Sequence, residues 1–229
     1  MQFTICRENF LKKEAAMKFD KKSLLLYAVT DRAWTQNESL YSQVEKALKG
    51  GVTFLQIREK NLPKQEFKTE AEELKTLAEK YSVPFVVNDD VLLAKEIDAD
   101  GVHIGQDDMT ASEARKILGS DKIIGVSVQT VSQALLAEKQ GADYLGVGAV
   151  FPTGSKLDAV EVPHEVLREI CESVRIPVVA IGGITQENVN LLSDSKISGI
   201  AVISAIFAQT DIQNAARNLF YKTKLALNL

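Results

Sequence analysis

VPFVVNDDVLLAKEIDADGVHIGQDD, residues 83–108, is the stretch whose reading decides the fold. Two short apolar runs, PFVVND at 84–89 and GVHIG at 101–105, flank a short helical pattern around VLLAKEIDA. The runs are rich in Val and Ile and do not alternate strictly, which suits strands buried on both faces of a parallel sheet. Each run closes on acidic residues, Asp89 and Asp90 after the first and Asp107 and Asp108 after the second.

Six more runs of the same character lie outside this unit. They are LLLYAVT at 24–30, TFLQIR at 53–58, IIGVSV at 123–128, YLGVGAVF at 144–151, PVVAIGG at 177–183 and GIAVISAI at 199–206. Amphipathic helical patterns separate them. SLYSQVEKALKGG stops on a glycine pair, TASEARKILG opens with a Thr110/Glu113 capping box, and PHEVLREICESV starts at Pro163. TVSQALLAEKQGA, TQENVNLLSDS and DIQNAARNLFYKTKLAL continue the series. Strand and helix alternating eight times over roughly 200 residues predict a single (β/α)8 TIM barrel. No G-x-G-x-x-G follows the first run, which disfavours a dinucleotide-binding open sheet.

The chain divides into an N-terminal extension at 1–22 and a barrel domain at 23–229. The extension lacks the apolar core of a signal peptide, and Met17 is a candidate start. A net charge of −4 argues against a nucleic-acid surface, and no apolar run is long enough to span a membrane. Cys6 and Cys171 make no disulfide framework, so a reducing, cytoplasmic setting is expected. Small-molecule substrates are the expected partners, with a homo-oligomer left open by the sequence.

In a barrel of this kind the strand ends meet at one rim. Gln56, Arg58 and Lys60 have period-2 spacing across the end of the second run and would point to one side. Arg supplies a planar fork for phosphate oxygens and Lys a compact charge; the bland alternative is a solvated strand end. Asn88, Asp89 and Asp108 offer oxygen ligands at neighbouring strand ends, as Mg²⁺ requires, although one acid of each pair could be a helix cap. Gly182 and Gly183 would let backbone N–H groups approach an anion, with Ser204 adding a hydroxyl; alternatively the glycines serve tight turns. Thr153, Gly154, Ser155 and Lys156 lie on the longest irregular stretch, 151–163, which is a lid over the site or a surface excursion. His103 reads as a core or hydrogen-bonded structural histidine. No Ser–His–Asp or Cys–His set stands out.

Taken together, YAVTD, QIREK, VVNDD, GVHIGQDD, GVSVQT, GADYLGVGAVFPTGSK, VVAIGGI and AVISAI resemble thiamine-phosphate synthase in order and spacing. The resemblance covers about residues 23–220. It implies a (β/α)8 enzyme that joins 4-amino-2-methyl-5-(diphosphooxymethyl)pyrimidine to a thiazole phosphate and releases diphosphate. It further implies that Gln56, Arg58, Lys60, Asn88, Ser127 and Lys156 bind the pyrimidine diphosphate. Among these, Arg58, Lys60, Ser127 and Lys156 would be catalytic. Asp89 and Asp108 would hold Mg²⁺, and Thr153, Gly154, Ser155, Gly183, Ile203 and Ser204 would grip the thiazole phosphate. Two positions depart from the pattern: Gln129 stands where histidine is frequent, and Ser155 where threonine is usual. Thiazole tautomerase and a silent phosphate-binding barrel are rivals, both disfavoured by Asp89 and Asp108, the former also by Arg58 and Lys156.

Overall fold

The computed structural model describes residues 20–35, 38–154 and 161–229. Eight parallel strands close on themselves in sequence order. They are β1 Leu26–Val29, β2 Phe54–Ile57, β3 Phe85–Asn88, β4 Gly101–Ile104, β5 Ile123–Val128, β6 Tyr144–Val147, β7 Val178–Ile181 and β8 Gly199–Val202. β8 pairs with β1 through Ala28 and Val202, so no edge strand is left. The strands are short because only a few residues of each lie within the barrel wall, and nearly all of those are buried. That double burial explains the unbroken Val and Ile runs.

Around the barrel lie α1 Leu40–Lys49, α2 Lys64–Lys80, α3 Val91–Glu96, α4 Ala111–Leu118, α5 Val131–Lys139, α6 His164–Ser173, α7 Ser204–Phe207 and α8 Ile212–Ala226. Their apolar stripes pack on the outward strand side chains, forming one large core that includes Leu55, Leu74, Phe85, Leu145 and Leu219. A second core fills the barrel itself with Leu24, Tyr27, Val29, Phe54, Val86, Ile123, Tyr144, Val179 and Ala201. The interior is therefore packed, and the strand ends of one rim are the natural place for a site. The capping box at the start of α4 is present: Glu113 N–H donates to Thr110 Oγ1 and Thr110 N–H to Glu113 Oε2.

One predicted helix is reduced. After β7 the chain makes a 3-10 turn at Val189–Leu192 in place of the helix expected over TQENVNLLSDS. Asn188 Oδ1 accepts the Thr185 N–H at 2.8 Å and its Nδ2 donates to Gly183 O at 2.9 Å, so its side chain ties the start of this segment back to the turn after β7. Residues 1–19 of the expected extension lie outside the described residues. Among the described residues, no helix is long and apolar enough to cross a membrane.

Candidate active site

A cavity of about 460 Å³ opens at the C-terminal rim of the strands. Gln56, Arg58, Lys60, Asn88, Asp89, Asp108, Ser127, Thr153, Gly183, Ile203 and Ser204 all line it. Gly154 sits on an exposed loop and is not part of the lining. Ser155 and Lys156 lie outside the described residues.

β2 ends at Ile57, so strand alternation orients Gln56 alone, while Arg58 and Lys60 reach the same cavity from the segment that follows. Gln56 is buried and turns inward, whereas Ile57 joins the outer core. Arg58 is held loosely, its Nη1 3.7 Å from Asp31 Oδ2. The intervening Glu59 does not compete for these cations, because its Oε2 takes the Arg32 guanidinium at 2.6 Å. Its Oε1 accepts the N–H groups of Lys60 and Asn61.

The two acids after β3 have separate jobs. Asp90 caps α3, its Oδ1 accepting the Leu93 N–H at 2.8 Å. Asp89 is left for the cavity, and its backbone is left-handed, with φ at 62°. A non-glycine residue there is uncommon and tends to mark a functional position. Its N–H donates to His103 O at 2.8 Å, which ties the turn to β4. Asp108 is anchored by the Gly105 N–H, which donates to its Oδ2 at 2.7 Å. The Asp89 and Asp108 carboxyls both face the cavity. Burial first, and then this neighbour, push Asp89 up to about 6.

On the opposite side, Gly182 and Gly183 have φ of 99° and 63°. A Cβ on Gly183 would lie 2.4 Å from Pro152 O, and one on Gly182 2.5 Å from Ala149 Cβ. Backbone alone fits there, so both glycines serve close approach as well as turning. Ser204 begins α7, directly after Ile203.

Beneath the rim, Gln56 and Ser127 are linked by Tyr27, Tyr144 and His103, which the sequence reading did not assign to the site. Gln56 Nε2 donates to Tyr27 Oη at 2.6 Å, and Tyr27 Oη lies 2.9 Å from Tyr144 Oη. Tyr144 Oη is 2.9 Å from His103 Nδ1, and His103 Nε2 is 2.9 Å from Ser127 Oγ. The available signal was a tyrosine inside each of two barrel strands, since a buried phenol needs a partner. Gln106 was also missed; its Nε2 donates to Ser127 O at 2.7 Å. Ser127 and His103 have the spacing of a nucleophile and its base. However, the third member is a phenol instead of a carboxylate, and burial drives the imidazole down to about 4. So weak a base does not activate a serine at neutral pH.

The geometry thus sets two cations and a carboxylate pair on one side and bare glycine backbone with a serine on the other. Such a rim can hold two anionic groups at once. Residues 26–206 match the Thiamine monophosphate synthase family. A thiamine-phosphate synthase of Clostridium tetani is 48% identical over 194 residues, 85% of this chain and 93% of that protein. One from Methanobrevibacter smithii is 47% identical over 201 residues, 88% of this chain and 96% of that protein. The solved thiamine phosphate pyrophosphorylase of Pyrococcus furiosus superposes with a TM-score of 0.84 at 42% identity, covering 90% of this chain and 98% of the other.

Proposed function

The chain belongs to the thiamine monophosphate synthase family and is a transferase of that activity, and we propose that its rim divides the work as follows. The reaction joins the aminopyrimidine diphosphate to the thiazole phosphate, yielding thiamine phosphate and diphosphate. Arg58 and Lys60 bind the diphosphate, which suits a forked guanidinium and a compact ammonium side by side. Gln56, Asn88 and Ser127 hold the pyrimidine ring. Thr153, Gly183, Ile203 and Ser204 hold the thiazole phosphate, with Gly154 and Ser155 nearby in sequence. The roles of Ser155 and Lys156 rest on the sequence resemblance.

Asp89 and Asp108 are the proposed ligands of Mg²⁺. Two carboxyls forced together, one of them raised to about 6, form a donor set that a hard divalent cation relieves. Among the described residues no group of three or more Asp, Glu, His or Cys gathers as a metal site. When bound, Mg²⁺ supplies neutralisation of the diphosphate charge.

The chain's own residues bind, orient and exclude water. The bond between the pyrimidine methylene and its diphosphate oxygen breaks first, and the electron-rich ring spreads the positive charge. Arg58 and Lys60 stabilise the negative charge collecting on the leaving group. The thiazole nitrogen, positioned by its phosphate anchor, then forms the new C–N bond. No protein nucleophile takes part, consistent with a Ser127 whose histidine is too weak a base. The convergence of Arg58, Lys60, Asp89, Asp108, Ser127 and Ser204 on one cavity carries this reading. A steady-state assay tests it: diphosphate should appear only with both substrates and Mg²⁺ present. Release with the pyrimidine substrate alone, or equal rates in a chelator, would overturn it.

A further inference from the structure

Gln56 and Ser127 stand on β2 and β5, and both line the cavity. They are joined underneath by three side chains that are themselves buried: Tyr27 at 1% exposed, Tyr144 at 0% and His103 at 8%. The four contacts of the chain are 2.6 to 2.9 Å long. Room for it is made by glycine. A Cβ on Gly125 would lie 2.3 Å from Tyr144 Oη and 2.5 Å from His103 Nδ1.

Each hydroxyl in such a chain has one proton, and a neutral imidazole has one N–H, so the bonds can run head to tail in two senses. With Gln56 Nε2 donating to Tyr27, the phenol proton of Tyr27 is directed at Tyr144 and that of Tyr144 at His103 Nδ1. The imidazole proton is then on Nε2 and is donated to Ser127 Oγ, which leaves the serine's own proton for the cavity. If Gln56 instead presented Oε1 to Tyr27, every bond would reverse. His103 would carry its proton on Nδ1, and Ser127 would donate inward and offer the cavity lone pairs. A break in the middle would set two donors or two acceptors against each other across one contact, which is costly away from water.

We propose that the Gln56 amide sets the proton order of this buried chain as a unit, so that Gln56 and Ser127 present a matched donor and acceptor pattern to one bound ring. Tyr27 and Tyr144 are positioning residues, since they act through side chains that face the cavity; His103, buried as it is, also borders the cavity and orients Ser127 through Nε2. With Gln56 Nε2 on Tyr27, the order that follows leaves Gln56 Oε1 as an acceptor and makes Ser127 a donor. An aminopyrimidine, with a donor amine beside an acceptor nitrogen, matches this polarity. Its 4-oxo counterpart has the pattern exchanged and is refused. This consequence for substrate choice rests on the transferase reading above; the proton order does not.

The tautomer of His103 reads the order directly. The chain has two histidines, so a His164→Gln background leaves one imidazole for ¹⁵N NMR of the ligand-free protein. The expected state is Nε2–H, with Nδ1 unprotonated. Gln56→Glu, as a carboxylate, can only accept from Tyr27 and should exchange the two nitrogen resonances. Adding Tyr27→Phe to Gln56→Glu cuts the chain and should restore Nε2–H. An Nδ1–H imidazole in the otherwise wild-type protein overturns the proposal, whether or not the variants fold. So does a folded Gln56→Glu without the exchange, or an exchange that survives Tyr27→Phe. A kinetic arm covers a Gln56→Glu that does not fold. Gln56→Ala and Ser127→Ala should be non-additive in KM for the pyrimidine diphosphate by at least about twofold. Tyr27→Phe should abolish that coupling, and a coupling that persists counts against the relay. Inactivity of the wild type would refute the transferase reading while leaving the tautomer result intact.

Discussion

Replacing Asp89 with Asn should stabilise the metal-free protein while removing its activity. Asp89 and Asp108 crowd each other, and the Asp89 carboxyl rises from 3.8 to about 6, by burial first and then by its neighbour. Taken whole, that rise is worth about 3 kcal/mol. Asp89 as a whole residue is exposed although its carboxyl is partly desolvated beside Asp108, and solvent screening reduces the figure to about 1 kcal/mol. The sign follows from the raised value. The folded protein holds this proton more tightly than the unfolded chain, so stability is greatest below pH 3.8 and is lost as pH rises through about 6. Asn cannot ionise and so escapes that loss. It also tolerates the left-handed backbone at φ 62°, so the exchange adds no strain. In calorimetry with a chelator at pH 7.5, Asp89→Asn should melt about 2–4 °C above the wild type. The advantage should vanish near pH 4. Added Mg²⁺ should raise the melting temperature of the wild type and not that of the variant. An equal or lower melting temperature for Asp89→Asn at pH 7.5, or a gain undiminished at pH 4, would refute the electrostatic argument.

Arg58→Ala should lower kcat/KM for the pyrimidine diphosphate by about 10²-fold. Arg58→Lys should recover little of it, because the fork is lost along with the geometry; steady-state kinetics on both variants decides this. Ser204→Ala should raise KM for the thiazole phosphate more than KM for the pyrimidine substrate, and an equal rise in both would move Ser204 out of the phosphate anchor. Gly183→Ala forces a side chain into positive φ and against Pro152 O, and should cost about 1–3 kcal/mol in a urea titration. It should also weaken thiazole phosphate binding; full stability with normal binding would mean the backbone there is freer than its contacts indicate.

The barrel was legible because double burial leaves an unambiguous mark. Runs such as IIGVSV and PVVAIGG carry apolar residues toward the helices and toward the interior at once. The polar strand ends were legible too, since parallel strands bring all their C-terminal ends to one rim. What the pattern could not resolve was the choice between Asp89 and Asp90. Both follow the same strand, and only the turn geometry makes one a helix cap and the other a cavity residue. The helix expected after β7 is cut to a 3-10 turn at Val189–Leu192, a shortening the apolar spacing did not signal. The buried chain beneath the rim was hidden for another reason. Tyr27 and Tyr144 are 117 positions apart and look like ordinary core aromatics until the barrel closes and their hydroxyls meet at 2.9 Å.

Asp89, Asp108, Arg58 and Lys60 are proposed to act together on one metal-bound diphosphate. A crystal structure grown with Mg²⁺ and diphosphate tests this most directly. It should show the cation between the Asp89 and Asp108 carboxylates, with the diphosphate oxygens on it and on the Arg58 and Lys60 side chains. A diphosphate seated instead against Gly183 and Ser204, or a cation held away from both aspartates, would contradict it.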